Sequence, residues 1–81
     1  MDLCKFEKDA LYREAEKDIK SRFPNYYLAY RNIIRYDSGS RVAEISWRIE
    51  GYDAEDGKKQ KIYRYKLSED SLKWFYVDSD N

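Results

Sequence analysis

The chain reads as an α+β domain, with one N-terminal helix packed on a three- or four-stranded antiparallel β-meander in the order α-β-β-β-(β). Three observations predict it. Apolar residues recur at spacings of three and four up to Phe23, and after Asn25 the period becomes two. The only proline, Pro24, stands at that change. Three breaks rich in Asp, Ser, Glu and Gly then cut the remainder into strand-length pieces. At 81 residues the chain is expected to form a single domain, residues 1–81, with room for one core and no second lobe.

The helix is expected over residues 3–22. Leu3, Phe6, Ala10, Leu11, Ala15, Ile19 and Phe23 fall close to one side of it. Asp2 is the expected N-cap, because its short side-chain oxygen can accept from the free N–H groups of a first turn. Asp9 with Arg13, Glu16 with Lys20, and Asp18 with Arg22 place acid four residues before base, each pair contributing about 0.2–0.5 kcal/mol. Pro24 pushes Phe23 out of the helical region, so the helix ends near Arg22.

The first strand follows, with Tyr26, Leu28, Tyr30, Ile34 and Tyr36 expected on the helix side and Tyr27, Arg31, Arg35 and Asp37 on the other. Asp37-Ser38-Gly39-Ser40 is a turn. Ala43, Ile45, Trp47 and Ile49 then alternate with Glu44, Ser46, Arg48 and Glu50. A second turn, Asp53–Gly57, leads to a strand over Ile62–Leu67, in which Tyr63, Tyr65 and Leu67 point inward. A break at Ser68–Ser71 precedes Leu72–Val77, which is either a fourth strand or a short helical turn. The polar tail 78–81 is expected to fray.

Turn chemistry suggests the register. A two-residue Ser38-Gly39 loop would set Tyr30 opposite Trp47, Leu28 opposite Ile49 and Ile34 opposite Ala43. A three-residue Glu55-Asp56-Gly57 loop, with Gly57 left-handed, would set Trp47 opposite Tyr65, Ile49 opposite Tyr63 and Ile45 opposite Leu67. A Glu69-Asp70 loop would set Tyr65 opposite Trp74 and Tyr63 opposite Tyr76.

Little in the sequence points to catalysis. There is no histidine, and one cysteine, Cys4, cannot form an internal disulfide or a cysteine zinc site. Cys4 is expected to be a packed, inert thiol. There is no nucleophile elbow and no glycine-rich phosphate loop. Glu44 and Glu50 share a strand face but stand about 20 Å apart, too far for an acid–base pair. Asp53, Glu55 and Asp56 lack the spacing of a calcium loop. The reading is a non-enzyme with no cofactor and no metal.

The charges balance at sixteen of each sign, against a general nucleic-acid binder. They are unevenly placed, with nine basic and six acidic residues in 23–67 and one basic and four acidic in 68–81. In the expected register the outer sheet face gathers Tyr27, Arg31, Arg48, Arg64 and Lys66, with Ile33, Val42 and Ile62 nearby, and Phe75 and Val77 if the last strand forms, and Arg48 falls opposite Arg64. Like charges directly opposed are unfavourable unless an anion intervenes. Those five residues are therefore the candidate partner-binding site. Nine Tyr, two Trp and three Phe supply both core and hot-spot material.

In outline, a helix cradled by an antiparallel meander is similar to cystatin-type and PepSY-type domains. The glutamine-valine-glycine hairpin loop of cystatins is absent, the loops here being Asp37–Ser40 and Asp53–Gly57, and the resemblance carries no activity across. The expected function is stoichiometric protein binding, as a cytoplasmic inhibitor or adaptor. Counter-defence proteins of phages and mobile elements are one class of such chains. The alternative is RNA or single-stranded DNA binding through the basic outer face. A homodimer formed through outer faces or edge strands is a third expectation, and no apolar run is long enough for a membrane span.

Overall fold

Leu11, Ala15 and Ile19 recur every four residues, and in the structure this row lies fully buried against a sheet. A computed structural model describes residues 3–70 and 73–80. Helix α1 spans Lys5–Arg22, followed by β1 (Tyr26–Asp37), β2 (Val42–Gly51), β3 (Lys58–Leu67) and β4 (Trp74–Asp80). The four strands form one antiparallel sheet in sequence order, so residues 74–80 are strand and not helical turn. The core between helix and sheet comprises Leu3, Leu11, Ala15 and Ile19 with Ile33, Ala43, Ile45, Trp47, Ile49, Tyr63, Tyr65, Leu67 and Trp74.

The helix differs from expectation at its start. Cys4 is the N-cap, and its backbone N–H donates to the Glu7 carboxylate at 3.0 Å. Asp2 lies outside the described residues. Cys4 is exposed rather than packed, because Leu3 takes the buried position beside it. Phe6 is also exposed, at 74%. It precedes Leu11 by five residues, roughly 140° around a helix at about 100° per residue, and so faces away from the sheet. Glu16 and Lys20 pair at 3.3 Å as expected. Asp18 and Arg22 do not pair with each other. Tyr65 Oη donates to Asp18 Oδ2 at 2.5 Å, and Arg22 Nη1 donates to Tyr76 Oη at 3.2 Å. Trp74 Nε1 donates to the Glu7 carbonyl at 2.9 Å. The helix is thereby pinned to β4 near its start and to β3 and β4 near its end.

Element lengths explain the elongated shape, 43 × 21 × 17 Å. A twelve-residue β1 runs about 40 Å, whereas an eighteen-residue helix runs about 27 Å. The helix cannot cover the whole sheet face. The uncovered end is closed by Phe23 and Tyr26, whose rings meet edge to face at 5.8 Å. Lys61 lies over Phe23 and Lys59 over Tyr26.

The β2–β3 register is displaced from expectation by four residues. Ala43 faces Tyr65, Ile45 faces Tyr63, Trp47 faces Lys61 and Ile49 faces Lys59. The connection is longer than a three-residue loop, because pairing closes at Gly51, whose N–H donates to Gly57 O at 2.8 Å. Gly57 is left-handed as expected, at φ 70°. Gly51 is required by packing, since a Cβ there would sit 2.1 Å from the Asp56 Cβ. A shift of four keeps every side chain on its expected face, so Tyr63, Tyr65 and Leu67 are buried although their partners differ.

β1 does not keep its parity. Leu28 faces Ile49 as expected, but the pairing slips by one between Leu28 and Tyr30 and again between Ile33 and Arg35. Each bulge turns the following residues over. Arg31 then faces Trp47 and Ile33 faces Ile45 on the helix side, while Tyr30 faces Arg48 on the outer side. Tyr30 and Ile34 are exposed and Ile33 is buried, the reverse of expectation. The second slip restores parity, and Tyr36 faces Ala43. The β1–β2 loop holds four residues. It closes by Arg41 N–H donating to Asp37 O at 2.7 Å, with Arg41 left-handed at φ 61°.

β4 reaches Asp80, so residues 78–80 are paired rather than frayed; Asn81 lies outside the described residues. Leu67 faces Trp74 and Tyr65 faces Tyr76, two residues from the expected register. A slip between Arg64 and Tyr65 then brings Asp78 opposite Arg64. The expected start of this segment at Leu72 lies outside the described residues.

Candidate binding surfaces

Alternation along the strands sends Glu44, Ser46, Arg48 and Glu50 of β2 to the outer face, together with Ile62, Arg64 and Lys66 of β3. One row across this face reads Arg35, Glu44, Arg64, Asp78, with signs alternating strand by strand. Arg64 donates to Asp78 Oδ1 and Asp80 Oδ2 at 2.8 Å each and lies 3.8 Å from Glu44. Arg35 lies 3.7 Å from the other oxygen of Glu44. The hydrogen bonds to Asp80 and Asp78 hold the Arg64 guanidinium charged well above its ordinary range. At the far end Tyr27 Oη donates to Glu50 at 2.7 Å, and Lys58 pairs with the same carboxylate at 3.4 Å. The Tyr27 hydrogen bond, with Lys58 assisting, lowers the Glu50 carboxyl below its ordinary value, and the same bond raises the Tyr27 phenol.

The five expected site residues are not one cluster. Tyr27, Arg48, Arg64 and Lys66 do lie on the outer face. Arg31 does not; the bulge after Leu28 places it on the helix side, over the Tyr12 ring at 4.2 Å. Arg48 faces Gln60 and Tyr30, not Arg64. The two arginines stand four residues apart along the sheet, about 13 Å. Among the described residues of that set, Arg48 and Lys66 alone are cations on the outer face without an ion pair.

Sequence reasoning missed the acidic half of this face. Asp78 and Asp80 belong to the segment expected to fray, yet their spacing of two is that of a strand, and it matches the two ends of the Arg64 fork. It also missed Tyr30 and Ile34, because nothing in the composition of β1 marks its two bulges. The outer face and its edges expose Tyr27 at 44%, Tyr30 at 57%, Ile34 at 47%, Phe75 at 57% and Val77 at 48%. The helix packs on the opposite side, and the β2–β3 connection meets this face only at its end, where Tyr52 lies against Tyr27 at 5.7 Å.

A second concave surface lies on the opposite side, between α1 and β1. It is a groove of about 600 Å³ lined by Glu16, Leu28, Ala29, Tyr30, Arg31 and Trp47. A further hollow of about 500 Å³ shares Glu16 and Leu28 with it and runs toward Phe23 and Tyr52. Trp47 is fully buried, and its Nε1–H has no acceptor among the described residues. No group of His, Cys, Asp and Glu suited to a metal ion is found among the described residues. No helix among them is long and apolar enough to cross a membrane.

Comparison with known proteins found no matching family, no matching curated relative and no matching solved structure.

Proposed function

We propose that the protein is a stoichiometric protein-binding module, an inhibitor or adaptor working in the cytoplasm without catalysis, and that it binds through the outer face of its sheet. One observation carries this reading: an uncovered sheet face whose charges largely satisfy one another while five large apolar side chains on it and its edges stay exposed. Exposed Tyr, Phe and aliphatic anchors around hydrogen-bonded charge fit the composition of protein interfaces. The same observation disfavours the nucleic-acid alternative. Phosphate binding draws on free cations, and Arg35, Lys58 and Arg64 are already held by Glu44, Glu50, Asp78 and Asp80. A second copy of the chain is one partner such a face could take.

The test is affinity capture from the source cell with three baits: wild type, Tyr30→Ser/Phe75→Ser on the outer face, and Phe6→Ser on the exposed helix side. The proposal expects one protein retained by wild type and Phe6→Ser and lost from the outer-face variant, with light scattering reporting self-association separately. Equal retention by all three baits refutes the outer face. Saturable binding of a single-stranded oligonucleotide, weakening linearly with log salt, would establish the alternative instead.

A further inference from the structure

Arg31 and Trp47 both line the α1–β1 groove, and each carries a hydrogen-bond donor that meets no acceptor among the described residues. Arg31 and Trp47 are directly opposed across β1 and β2, so their Cβ atoms stand about 4.5–5.5 Å apart on one face. Trp47 lines the groove, fully buried, with an indole N–H that meets no acceptor among the described residues. A buried donor without an acceptor is costly and uncommon in a folded protein. The other tryptophan shows the usual arrangement, Trp74 Nε1 donating to Glu7 O at 2.9 Å. Arg31 has no carboxylate partner among the described residues and rests on the Tyr12 ring. By contrast Arg35 of β1 and Arg64 of β3 are bound to carboxylates, and Arg41 of the β1–β2 loop to backbone carbonyls.

We propose that this groove binds a carboxylate, held between the Trp47 indole N–H and the Arg31 guanidinium. A carboxylate offers two acceptor oxygens in one plane, which suits a single N–H beside a guanidinium fork. The surrounding charge agrees. Glu16 on the helix wall is already paired with Lys20 at 3.3 Å, which leaves Arg31 as the one charge lining the groove that has no ion pair among the described residues. Leu28 and Ala29 supply an apolar wall for the remainder of the ligand, and a volume of about 600 Å³ is that of a small-molecule site. The indole nitrogen is closed to solvent, so the ligand enters by drawing the exposed Arg31 side chain off the Tyr12 ring. A weak cation–π contact is thereby exchanged for a charge-assisted hydrogen bond.

The two indole N–H resonances of a ¹⁵N-labelled sample provide the test, with Trp74 as internal control. The probes are hexanoate and phenylacetate, their neutral amides, and the tripeptide Ala-Ala-Phe with a free or an amidated C-terminus. The proposal expects a saturable shift of the Trp47 signal with each free carboxylate, no such shift with the amides, and a steady Trp74 signal. Arg31→Gln keeps an exposed polar residue and should weaken binding about tenfold or more while the rest of the spectrum stays in place. Tighter binding of the free tripeptide identifies a chain terminus as the source, and equal or tighter binding of the small acids identifies a free organic acid. No saturable shift with any carboxylate, equal shifts with the amides, or an undiminished affinity in Arg31→Gln would each overturn it.

Discussion

The two faces of the sheet hold their side chains by different physics. On the helix side Ala43, Ile45, Trp47, Ile49, Tyr63, Tyr65 and Leu67 are buried by α1 and by one another, with Tyr65 donating to Asp18 while Trp47 Nε1 and Tyr63 Oη meet no partner among the described residues. On the outer side no element covers the strands. Order there comes from charges alternating across Arg35, Glu44, Arg64 and Asp78 and from the Tyr27–Glu50 hydrogen bond. Exposed ion pairs contribute little each, typically about 0–1 kcal/mol, whereas burying one large side chain contributes several times that. Stability therefore resides on the helix side, which leaves the outer side available for the binding proposed above.

The largest effect is expected from Trp47→Ala. Its neighbours across the sheet are Arg31 and Lys61, two long cations poorly placed to collapse into a cavity. A loss of about 3–5 kcal/mol is expected in urea unfolding. A loss below about 1 kcal/mol would mean that the helix side is not the stabilising face.

A smaller effect is expected from pH. Burial first, and then Asp18, holds the Tyr65 hydroxyl protonated well above its ordinary value near 10.0. A group whose folded value is raised contributes stability that is complete below the unfolded value and lost as pH climbs above it. Wild type should therefore lose stability as pH rises past about 10. Tyr65→Phe should cost about 1–2 kcal/mol at neutral pH, with Asp18 left without its donor, and should flatten the alkaline loss. An alkaline slope unchanged in Tyr65→Phe would place its origin in other tyrosines.

Faces proved more legible in the sequence than partners. For β2 and β3 the alternation alone decides which face each side chain takes, and a register error of four changes partners without changing faces. The true register depended on loop closure that composition does not reveal. Arg41, not a glycine, takes the left-handed position after Asp37–Ser40, and its side chain donates to Leu67 O and Ser68 O at 3.2 and 2.6 Å. Those bonds tie the start of β2 to the end of β3, a long-range condition invisible to a turn rule. In β1 the two bulges moved Tyr30 and Ile34 outward and Arg31 and Ile33 inward. That exchange divided the expected basic cluster and created the Arg31–Trp47 pair. The Asp78–Asp80 tail became strand because Arg64 offered it a fork.

Urea unfolding of Tyr30→Ser/Phe75→Ser tests the separation of the faces most directly, because it requires no partner. Both residues are more than half exposed on the outer side, and surface substitutions away from caps and networks usually stay within about 0.5 kcal/mol each. The double variant should keep the wild-type slope and lose no more than about 1 kcal/mol. A loss of about 3 kcal/mol or more, comparable to Trp47→Ala, would show that the outer face is structural and contradict its assignment as the binding surface.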